Sequence, residues 1–274
     1  MQQNKKPIIS SLVGKKAVLK RKGFLPEGRH SSPRVVNIGG KMFVFKRSSF
    51  ENPLTLSQAK VMSSSVEKYQ AQLKQAGIRV SKVFMIHPVS SAAKKGRYLV
   101  ASLEEYKGKL NAAQLIKTAS REKAISAFGA IFEEVLKSFK AKGATKTNVG
   151  VLIDSKPKNY VIDSTGAATY IDFYTPKLLN REGKLTPFFK QLHKRPLAEL
   201  QEMFQSKLGV VQSMLCYSIA ERPELRRKFE TIVLRRLRET EPVEFIEKVR
   251  DMISKNYRIN NLVRKEVLEK IART

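Results

Sequence analysis

Short apolar runs alternate with turn residues over the first third of the chain, and this pattern predicts a small antiparallel sheet. The predicted strands cover residues 16–20, 34–38, 41–47, 80–86 and 97–103. Gly39 and Gly40 separate the second strand from the third, and a two-glycine connection is typical of a tight β-hairpin. Turn chemistry therefore favours antiparallel pairing in this part of the chain.

One amphipathic helix is predicted between residues 54 and 77, among these strands. Its apolar positions recur at spacings of four, three and four, which places them on one helix face. They are Met62, Val66, Tyr69 and Leu73. Gly77 follows as a C-terminal cap. The predicted order up to residue 103 is therefore β-β-β-α-β-β.

The pattern becomes mainly helical after Gly108. Apolar residues at helical spacing predict helices at residues 110–118 and 121–142, and several more within 187–274. A compact strand–loop–strand segment, residues 149–173, lies between these helical regions. The fold class predicted from this order is α+β.

The change of pattern also predicts how the chain divides. A β-rich N-terminal lobe takes residues 1–104, and an α-rich C-terminal lobe takes residues 105–274. The connector between them is short and contains no flexible linker sequence. Such a connector favours two lobes around a shared cleft over two independent domains.

Composition excludes several classes of protein. With 42% apolar residues in 274, the chain can bury a sizeable core, and its longest apolar runs are far too short to cross a bilayer. The N-terminal residues contain no long apolar segment of the kind that secretory signals carry. A single cysteine, Cys216, excludes an intramolecular disulfide and argues against a cysteine-based zinc site. We therefore expect a soluble, cytoplasmic protein.

Charge points to an anionic partner. The 53 Lys and Arg residues exceed the 24 Asp and Glu residues by 29, so the surface attracts nucleic acid, phosphorylated ligands, anionic membranes or acidic proteins. One basic cluster lies on the predicted C-terminal helices: Arg222, Arg226, Arg227, Lys228, Arg235, Arg236 and Arg238. It is either a solvated helix face or a surface for a polyanion. No RRM, KH, zinc-finger or homeodomain signature accompanies it, so only non-specific phosphate contact is supported.

The segment that carries chemistry is residues 152–173, LIDSKPKNYVIDSTGAATYIDF. Pro157 blocks a helix after Asp154, so Asp154 is predicted in a loop. Two short β-like runs follow, joined by an Asp/Gly turn, and this hairpin would bring Asn159 and Asp172 together with Asp154 close by. Two carboxylates and an amide oxygen are the ligands that Mg²⁺ takes, and Mg²⁺ binds phosphates at the same time.

The residues D-x-K-P-x-N at 154–159, followed by I-D-F at 171–173, resemble the catalytic loop and metal-binding motif of the protein-kinase-like superfamily. The spacings of five residues from Asp154 to Asn159 and thirteen from Asn159 to Asp172 match that pattern. The β-β-β-α-β-β order also resembles a kinase N-terminal lobe. This resemblance implies a bilobal protein-kinase-like fold. Its small N-terminal lobe would be an antiparallel sheet with one helix, and its C-terminal lobe would be mainly helical, with the catalytic loop at 152–174.

The resemblance also implies roles for the residues of this motif. Asp154 would accept or orient the hydroxyl proton of the acceptor, and Lys156 would offset the charge of the transferring phosphoryl group. Asn159 and Asp172 would hold one or two Mg²⁺ ions that bridge the nucleotide phosphates. ATP, or another nucleoside triphosphate, and Mg²⁺ are therefore the implied cofactors.

Two residues of the N-terminal lobe complete the implied site. Lys46 looks like the lysine on the third strand, which contacts the α- and β-phosphates. Glu67, on the following helix, is the candidate that would hold Lys46 in place, and Glu51 is the alternative. These two roles are assigned by the resemblance alone.

Three departures from the kinase pattern refine the prediction. Leu152 stands where a histidine is usual, and Tyr174 stands where protein kinases have glycine after the I-D-F aspartate and phenylalanine. No G-x-G-x-x-G lies between the first two strands, and no A-P-E-like signature follows the motif. The chain is therefore closer to the aminoglycoside and choline phosphotransferase branch than to typical protein kinases.

The function predicted is transfer of the γ-phosphoryl group of ATP to a hydroxyl. The acceptor is expected to be a small molecule, lipid headgroup, sugar or nucleic acid rather than a peptide, and an anionic acceptor suits the charge. The alternative is a catalytically weak or inactive pseudokinase that acts as a basic binding module for RNA, anionic lipid or a protein. A third interpretation is a plain nucleic-acid-binding protein that uses the fold as a scaffold.

Overall fold

The computed structural model describes residues 31–48, 53–92, 94–174, 176–180, 183–185, 196–257 and 265–272. The predicted strand at 16–20 and the alternative partner Glu51 lie outside these residues. Six strands are described: β1 Ser31–Ile38, β2 Lys41–Ser48, β3 Val83–Ser90, β4 Tyr98–Glu105, β5 Tyr160–Ile162 and β6 Ala168–Tyr170. Eight α-helices are described: α1 Leu56–Gln75, α2 Ala112–Thr118, α3 Arg121–Lys140, α4 Leu197–Gln205, α5 Lys207–Glu221, α6 Arg226–Arg238, α7 Val243–Ser254 and α8 Lys265–Ala272.

A four-stranded antiparallel sheet in the order β1-β2-β4-β3 confirms the predicted α+β class and the predicted hairpin. Ile38 pairs with Lys41 across the turn, and Gly39 and Gly40 have φ angles of 57° and 81°. Positive φ at both central residues gives the turn whose twist matches that of the strands, and glycine adopts it without a steric penalty. The sequence pattern therefore predicted both strands of this hairpin and its turn.

The third strand of the sheet begins three residues later than predicted. Val83, rather than Val80, is the first residue of β3. The residues before it pair elsewhere, because Tyr170 donates its amide to the Arg79 carbonyl at 2.8 Å and accepts from the Ser81 amide at 3.1 Å. One predicted strand is thus divided between two pairings, which periodicity alone does not reveal.

Helix α1 confirms the predicted amphipathic helix. All four members of its apolar stripe, from Met62 to Leu73, have at most 1% of their surface exposed. The helix ends where Gly77 takes a φ of 74°, and the Ile78 amide donates to the Leu73 carbonyl at 3.0 Å. A left-handed glycine with this backward hydrogen bond is a common helix C-cap.

The chain divides into two compact units. The described residues of the first, the sheet unit, lie in 31–64 and 82–106. The second, the helical unit, contains 65–81 and the described residues from 107 onward. The second half of α1 therefore belongs to the helical unit. The predicted boundary between residues 104 and 105 stays a prediction.

Helix α5 forms the centre of the helical unit. Most of its residues are buried, so it is apolar on nearly every side, as expected for a helix enclosed by others. It contacts α2, α3, α4, α6, α7 and α8. Beside it, Phe128 of α3 stacks on Phe229 of α6 with ring centroids 4.3 Å apart. Of the helices described, none is long and apolar enough to cross a membrane.

Candidate functional site

The loop that follows α3 carries Asp154, and backbone contacts fix its course. Gly150 donates its amide to the Ser138 carbonyl at 2.8 Å. A Cβ atom on Gly150 would lie 2.3 Å from the Ala141 carbonyl oxygen, so the approach requires glycine. Ser155 donates its hydroxyl to the Val210 carbonyl at 2.7 Å, which ties the loop to α5. The loop is therefore held on both sides of Asp154.

The β5–β6 hairpin brings the three oxygen-bearing residues of the predicted site together. A 3₁₀ turn, Pro157–Asn159, follows the loop, and Asn159 donates its side-chain amide to the Asp154 carbonyl at 3.2 Å. The Ile171 amide donates to the Asn159 carbonyl at 2.9 Å, immediately before Asp172. The predicted proximity of Asp154, Asn159 and Asp172 follows from these bonds.

Asp154 and Lys156 form a buried ion pair. The Lys156 ammonium lies 3.1 Å from the Asp154 Oδ2 atom, with 14% and 11% of the two side chains exposed. The ammonium also lies 5.2 Å from the ring centroid of Tyr217 and 5.7 Å from that of Phe204. The other carboxylate oxygen, Asp154 Oδ1, is buried and accepts no hydrogen bond from any described residue. A buried carboxylate oxygen without a hydrogen-bond partner is rare in native structures, and it marks Asp154 as a candidate for function.

Lys177 is a site residue that the sequence analysis missed. Its side chain is 1% exposed, and its ammonium lies 3.4 Å from Asp172 Oδ2 and 3.3 Å from the Tyr170 hydroxyl. The ammonium also faces two aromatic rings, Tyr69 at 5.5 Å and Phe204 at 5.4 Å. In a chain with 53 Lys and Arg residues, one lysine five residues after Asp172 carries no sequence signal.

Neighbouring charges and burial set the pKa values of Asp154 and Lys177. Burial raises the pKa of Asp154, but Lys156, Lys177 and Lys158 together outweigh burial and lower that pKa to about 2. Burial lowers the pKa of Lys177, but Asp172, Tyr69 and Asp154 together outweigh burial and hold that pKa above the ordinary value. At neutral pH the site therefore contains an ionised Asp154 and a charged Lys177.

Leu152 occupies the position where the family resemblance expects histidine, and it belongs to the core. It is 4% exposed and packs in a cluster with Leu185, Leu200, Met203 and Phe204. The Tyr69 hydroxyl donates to the Leu152 carbonyl at 2.9 Å. Burial raises the pKa of Tyr69 to about 12, so the hydroxyl keeps its proton and remains a donor. Helix α1 thus anchors the loop two residues before Asp154.

Lys46 has a partner that the sequence analysis did not identify. Its ammonium lies 2.7 Å from Glu104 Oε2, and both side chains are buried. Ser102, which pairs with Lys46 across β2 and β4, donates its hydroxyl to Glu104 Oε1 at 2.8 Å. The predicted partner Glu67 lies in the helical unit and is exposed on α1, and its pairing with Lys46 stays a prediction. The sequence feature that could have identified this partner is Glu104, a charged residue in the mostly apolar strand 98–105.

The donor set can be compared with what Mg²⁺ requires. The amide oxygen of Asn159 and the carboxylate of Asp172 are hard oxygen ligands and fit the ion by type. Two protein residues leave positions for phosphate and water oxygens in an octahedral shell. Within the described parts of the chain, no three His, Cys, Asp or Glu side chains form a metal site, so these residues do not form an all-protein cage.

The basic cluster on the C-terminal helices is partly neutralised within the protein. Arg226 pairs with Glu230 at 2.8 Å, and Arg236 pairs with Glu133 at 2.7 Å. Four other members are exposed: Arg227, Lys228, Arg235 and Arg238. Arg222 and Arg226 do not share one helix, because α5 ends before Arg222 and the 3₁₀ turn Pro223–Leu225 separates them. The charge available to a partner is therefore smaller than the sequence indicated.

Comparison with protein-family models gave no match, and a search of curated proteins found none significantly similar to this chain. Any assignment of function therefore depends on the geometry of the site and on the motif resemblance.

Proposed function

We propose that this protein is a kinase-like phosphotransferase that moves the γ-phosphoryl group of ATP, or another nucleoside triphosphate, to a hydroxyl. The observation that carries the proposal is the arrangement around Asp154. A buried carboxylate with one unpartnered oxygen (among the described residues) lies beside the ammonium of Lys156. The Asn159 side chain bonds to the Asp154 backbone carbonyl, and the Asn159 carbonyl accepts from the amide of Ile171, next to Asp172. We assign the reaction to the cytoplasm.

In the proposed reaction, the Asp154 carboxylate receives the hydrogen bond of the acceptor hydroxyl and so orients it. The acceptor oxygen forms a bond to the γ-phosphorus while the bond from that phosphorus to the bridging oxygen breaks. The hydroxyl proton passes to Asp154 as the new ester bond forms. Because the pKa of Asp154 is about 2, the residue is ionised at neutral pH and serves chiefly to position the hydroxyl.

Lys156 would offset the negative charge that develops on the transferring group. Its ammonium is fixed by Asp154 and by the faces of Tyr217 and Phe204, so little reorganisation is needed. Asn159 and Asp172 would hold Mg²⁺, which when bound supplies electrostatic screening of the phosphate oxygens. Lys46 would contact the α- and β-phosphates, and Glu104 would orient it.

The test compares wild type with Asp172→Ala. Thermal shift with ATP and Mg²⁺ and an ATP hydrolysis assay should show a metal-dependent nucleotide effect in wild type that the variant lacks. Asp251→Ala is the matched control, because Asp251 is an exposed aspartate that pairs with Lys255 on α7. A wild-type protein that shows no nucleotide effect contradicts the proposal. A nucleotide shift that survives Asp172→Ala unchanged contradicts the metal assignment.

One observation favours a second function, a nucleotide-binding protein without turnover. Both carboxylates of the site already have buried lysine partners, Lys156 and Lys177. Such a pseudokinase would bind nucleotide and recruit an anionic partner through its exposed basic residues. Nucleotide binding without hydrolysis or transfer would support it. Retention of RNA that weakens steeply with salt would identify the partner class, and no binding at low salt would exclude RNA.

A further inference from the structure

Lys177 is a lysine in a fully buried position, with 1% of its surface exposed. Lysine is almost never buried to this degree unless it is paired. Its ammonium contacts the Asp172 carboxylate at 3.4 Å and the Tyr170 hydroxyl at 3.3 Å, and it lies over the rings of Tyr69 and Phe204. These four neighbours leave the ammonium little freedom to swing away, because the aliphatic stem is enclosed as well.

This ammonium lies beside the residue that would hold Mg²⁺ in the proposed site. Asp172 is the residue expected to hold Mg²⁺, and one of its oxygens already faces a fixed positive charge. Among the buried and half-buried charged groups of the site, the two negative charges of Asp154 and Asp172 are matched by the two positive charges of Lys156 and Lys177. The site is therefore electrically balanced before any divalent ion binds.

We propose that Lys177 is a built-in cation of the nucleotide site, which takes the place of one metal ion at Asp172 and makes phosphate binding only weakly dependent on Mg²⁺. This inference rests on the proposed nucleotide-binding function. A divalent ion at Asp172 is repelled by the ammonium, so its affinity there is reduced. A phosphate oxygen near Asp172 is attracted by the same ammonium, which lowers the need for the ion.

Lys207 is a buried lysine with a purely structural role, and its surroundings differ from those of Lys177. Lys207 is also buried, lies 2.8 Å from Glu241 and faces the Phe139 ring at 5.4 Å. Glu241 is 4% exposed in its side chain, so that pair is closed to solvent. Asp172 keeps 30% of its side chain exposed, so the Lys177 pair is open on one side. The Asp172 carboxylate is therefore open to solvent on one side, whereas both members of the Lys207 pair are closed.

The test measures binding of adenylyl imidodiphosphate by calorimetry in EDTA and in excess Mg²⁺. Wild type should bind in both buffers, with a difference in Kd below about tenfold. Lys177→Met should lose affinity in EDTA, so that its Mg²⁺ dependence exceeds that of wild type by at least about tenfold. Lys207→Met is the control for loss of a buried ion pair and should keep the wild-type Mg²⁺ dependence. Mn²⁺ binding followed by electron paramagnetic resonance should be tighter in Lys177→Met than in wild type.

Lys177→Arg keeps the charge and covers the case in which the methionine variant fails to fold. It should retain nucleotide binding in EDTA. Wild type that binds the nucleotide only in Mg²⁺ overturns the role of Lys177 and leaves the proposed function standing. Wild type that binds in neither buffer contradicts the proposed function itself. Equal Mg²⁺ dependence in wild type and Lys177→Met also overturns the role of Lys177.

Discussion

The sheet unit and the helical unit each contain a buried lysine–carboxylate group, and the two groups are satisfied to different degrees. In the sheet unit, Glu104 meets Lys46 at 2.7 Å with one oxygen and Ser102 at 2.8 Å with the other. In the helical unit, Asp154 has one buried oxygen that bonds to no residue of the described ranges, and Asp172 meets its lysine at 3.4 Å.

The difference lies in how fully each carboxylate is hydrogen-bonded within the protein. A buried carboxylate with every oxygen bonded contributes to the stability of the fold, because its desolvation is offset by charge-assisted hydrogen bonds. A buried carboxylate with an unused oxygen costs about 1–3 kcal/mol, and such a cost is tolerated where a ligand uses that oxygen. Mutation of Glu104 should therefore lower stability, whatever its effect on the proposed phosphate contact of Lys46, and mutation of Asp154 should affect ligand binding as well as stability.

The largest effect is expected from Glu104→Ala. Removal of the carboxylate takes away the ion-pair partner of a buried lysine, which typically destabilises by about 3–5 kcal/mol. Urea denaturation monitored by circular dichroism measures this free energy of unfolding. The double variant Lys46→Met with Glu104→Leu should recover most of the loss, because neither charge then remains buried. A loss below about 1 kcal/mol, the usual worth of an exposed pair, would contradict a closed structural group.

A smaller loss is expected from Gly150→Ala, which moves the loop that carries Asp154. The new Cβ would lie 2.3 Å from the Ala141 carbonyl oxygen, so the backbone must shift. We expect a loss of about 3 kcal/mol in the free energy of unfolding, at the upper end of overpacking effects. Gly129→Ala is the control, since a Cβ there has no described atom within 4 Å and alanine favours a helix. Equal stability of the two variants would contradict a sterically fixed loop.

The variant Asp154→Asn tests whether the charge of Asp154 stabilises the folded protein, through the pH dependence of the free energy of unfolding. The folded-state pKa is depressed from 3.8 to about 2, so the ionised form is favoured in the folded state. This stabilisation is fully present above the ordinary pKa and is lost as pH falls through about 2. It amounts to about 2 kcal/mol at neutral pH.

The measurement for Asp154→Asn is the free energy of unfolding from pH 7 down to pH 2. Wild type should exceed the variant at neutral pH, and the gap should narrow between pH of about 4 and about 2. Asp251→Asn, on the exposed face of α7, is the control and should show a smaller change over this range. A gap for Asp154→Asn that stays constant with pH would show that the carboxylate charge is not what stabilises the loop.

The sequence predicted local features of the structure correctly and missed those that depend on tertiary contacts. Local features were predicted correctly: the Gly39–Gly40 hairpin, the buried stripe of α1, and the β5–β6 hairpin that brings Asn159 to Asp172. Each depends on residues that are near one another in the chain and on a period of two or 3.6. For these features, neighbouring residues contain the necessary information.

Features that depend on tertiary contacts were missed. Lys177 becomes a site residue through the rings of Tyr69 and Phe204, which are 108 and 27 residues away in the chain. Glu104 becomes the partner of Lys46 through strand pairing across 58 residues. Burial distinguishes Lys177 and Glu104 from the other charged residues, and a lysine-rich sequence does not show which of its charged residues are buried. The roles of Asp154, Asn159 and Asp172 come from the motif resemblance and stay predictions.

The smallest effect is expected in the sheet unit, at the exposed hairpin. Asn37 accepts a hydrogen bond from the Gly40 amide at 3.0 Å, and both groups are open to water. Because water can replace the lost acceptor, Asn37→Ala should lower the free energy of unfolding by only about 0.5 kcal/mol. Asn37→Asp keeps an acceptor oxygen and should lie closer to wild type. If Asn37→Ala instead matched Glu104→Ala in urea denaturation, burial would not be what distinguishes the closed group from ordinary polar contacts, and the contrast between the two lysine–carboxylate groups would lose its physical basis.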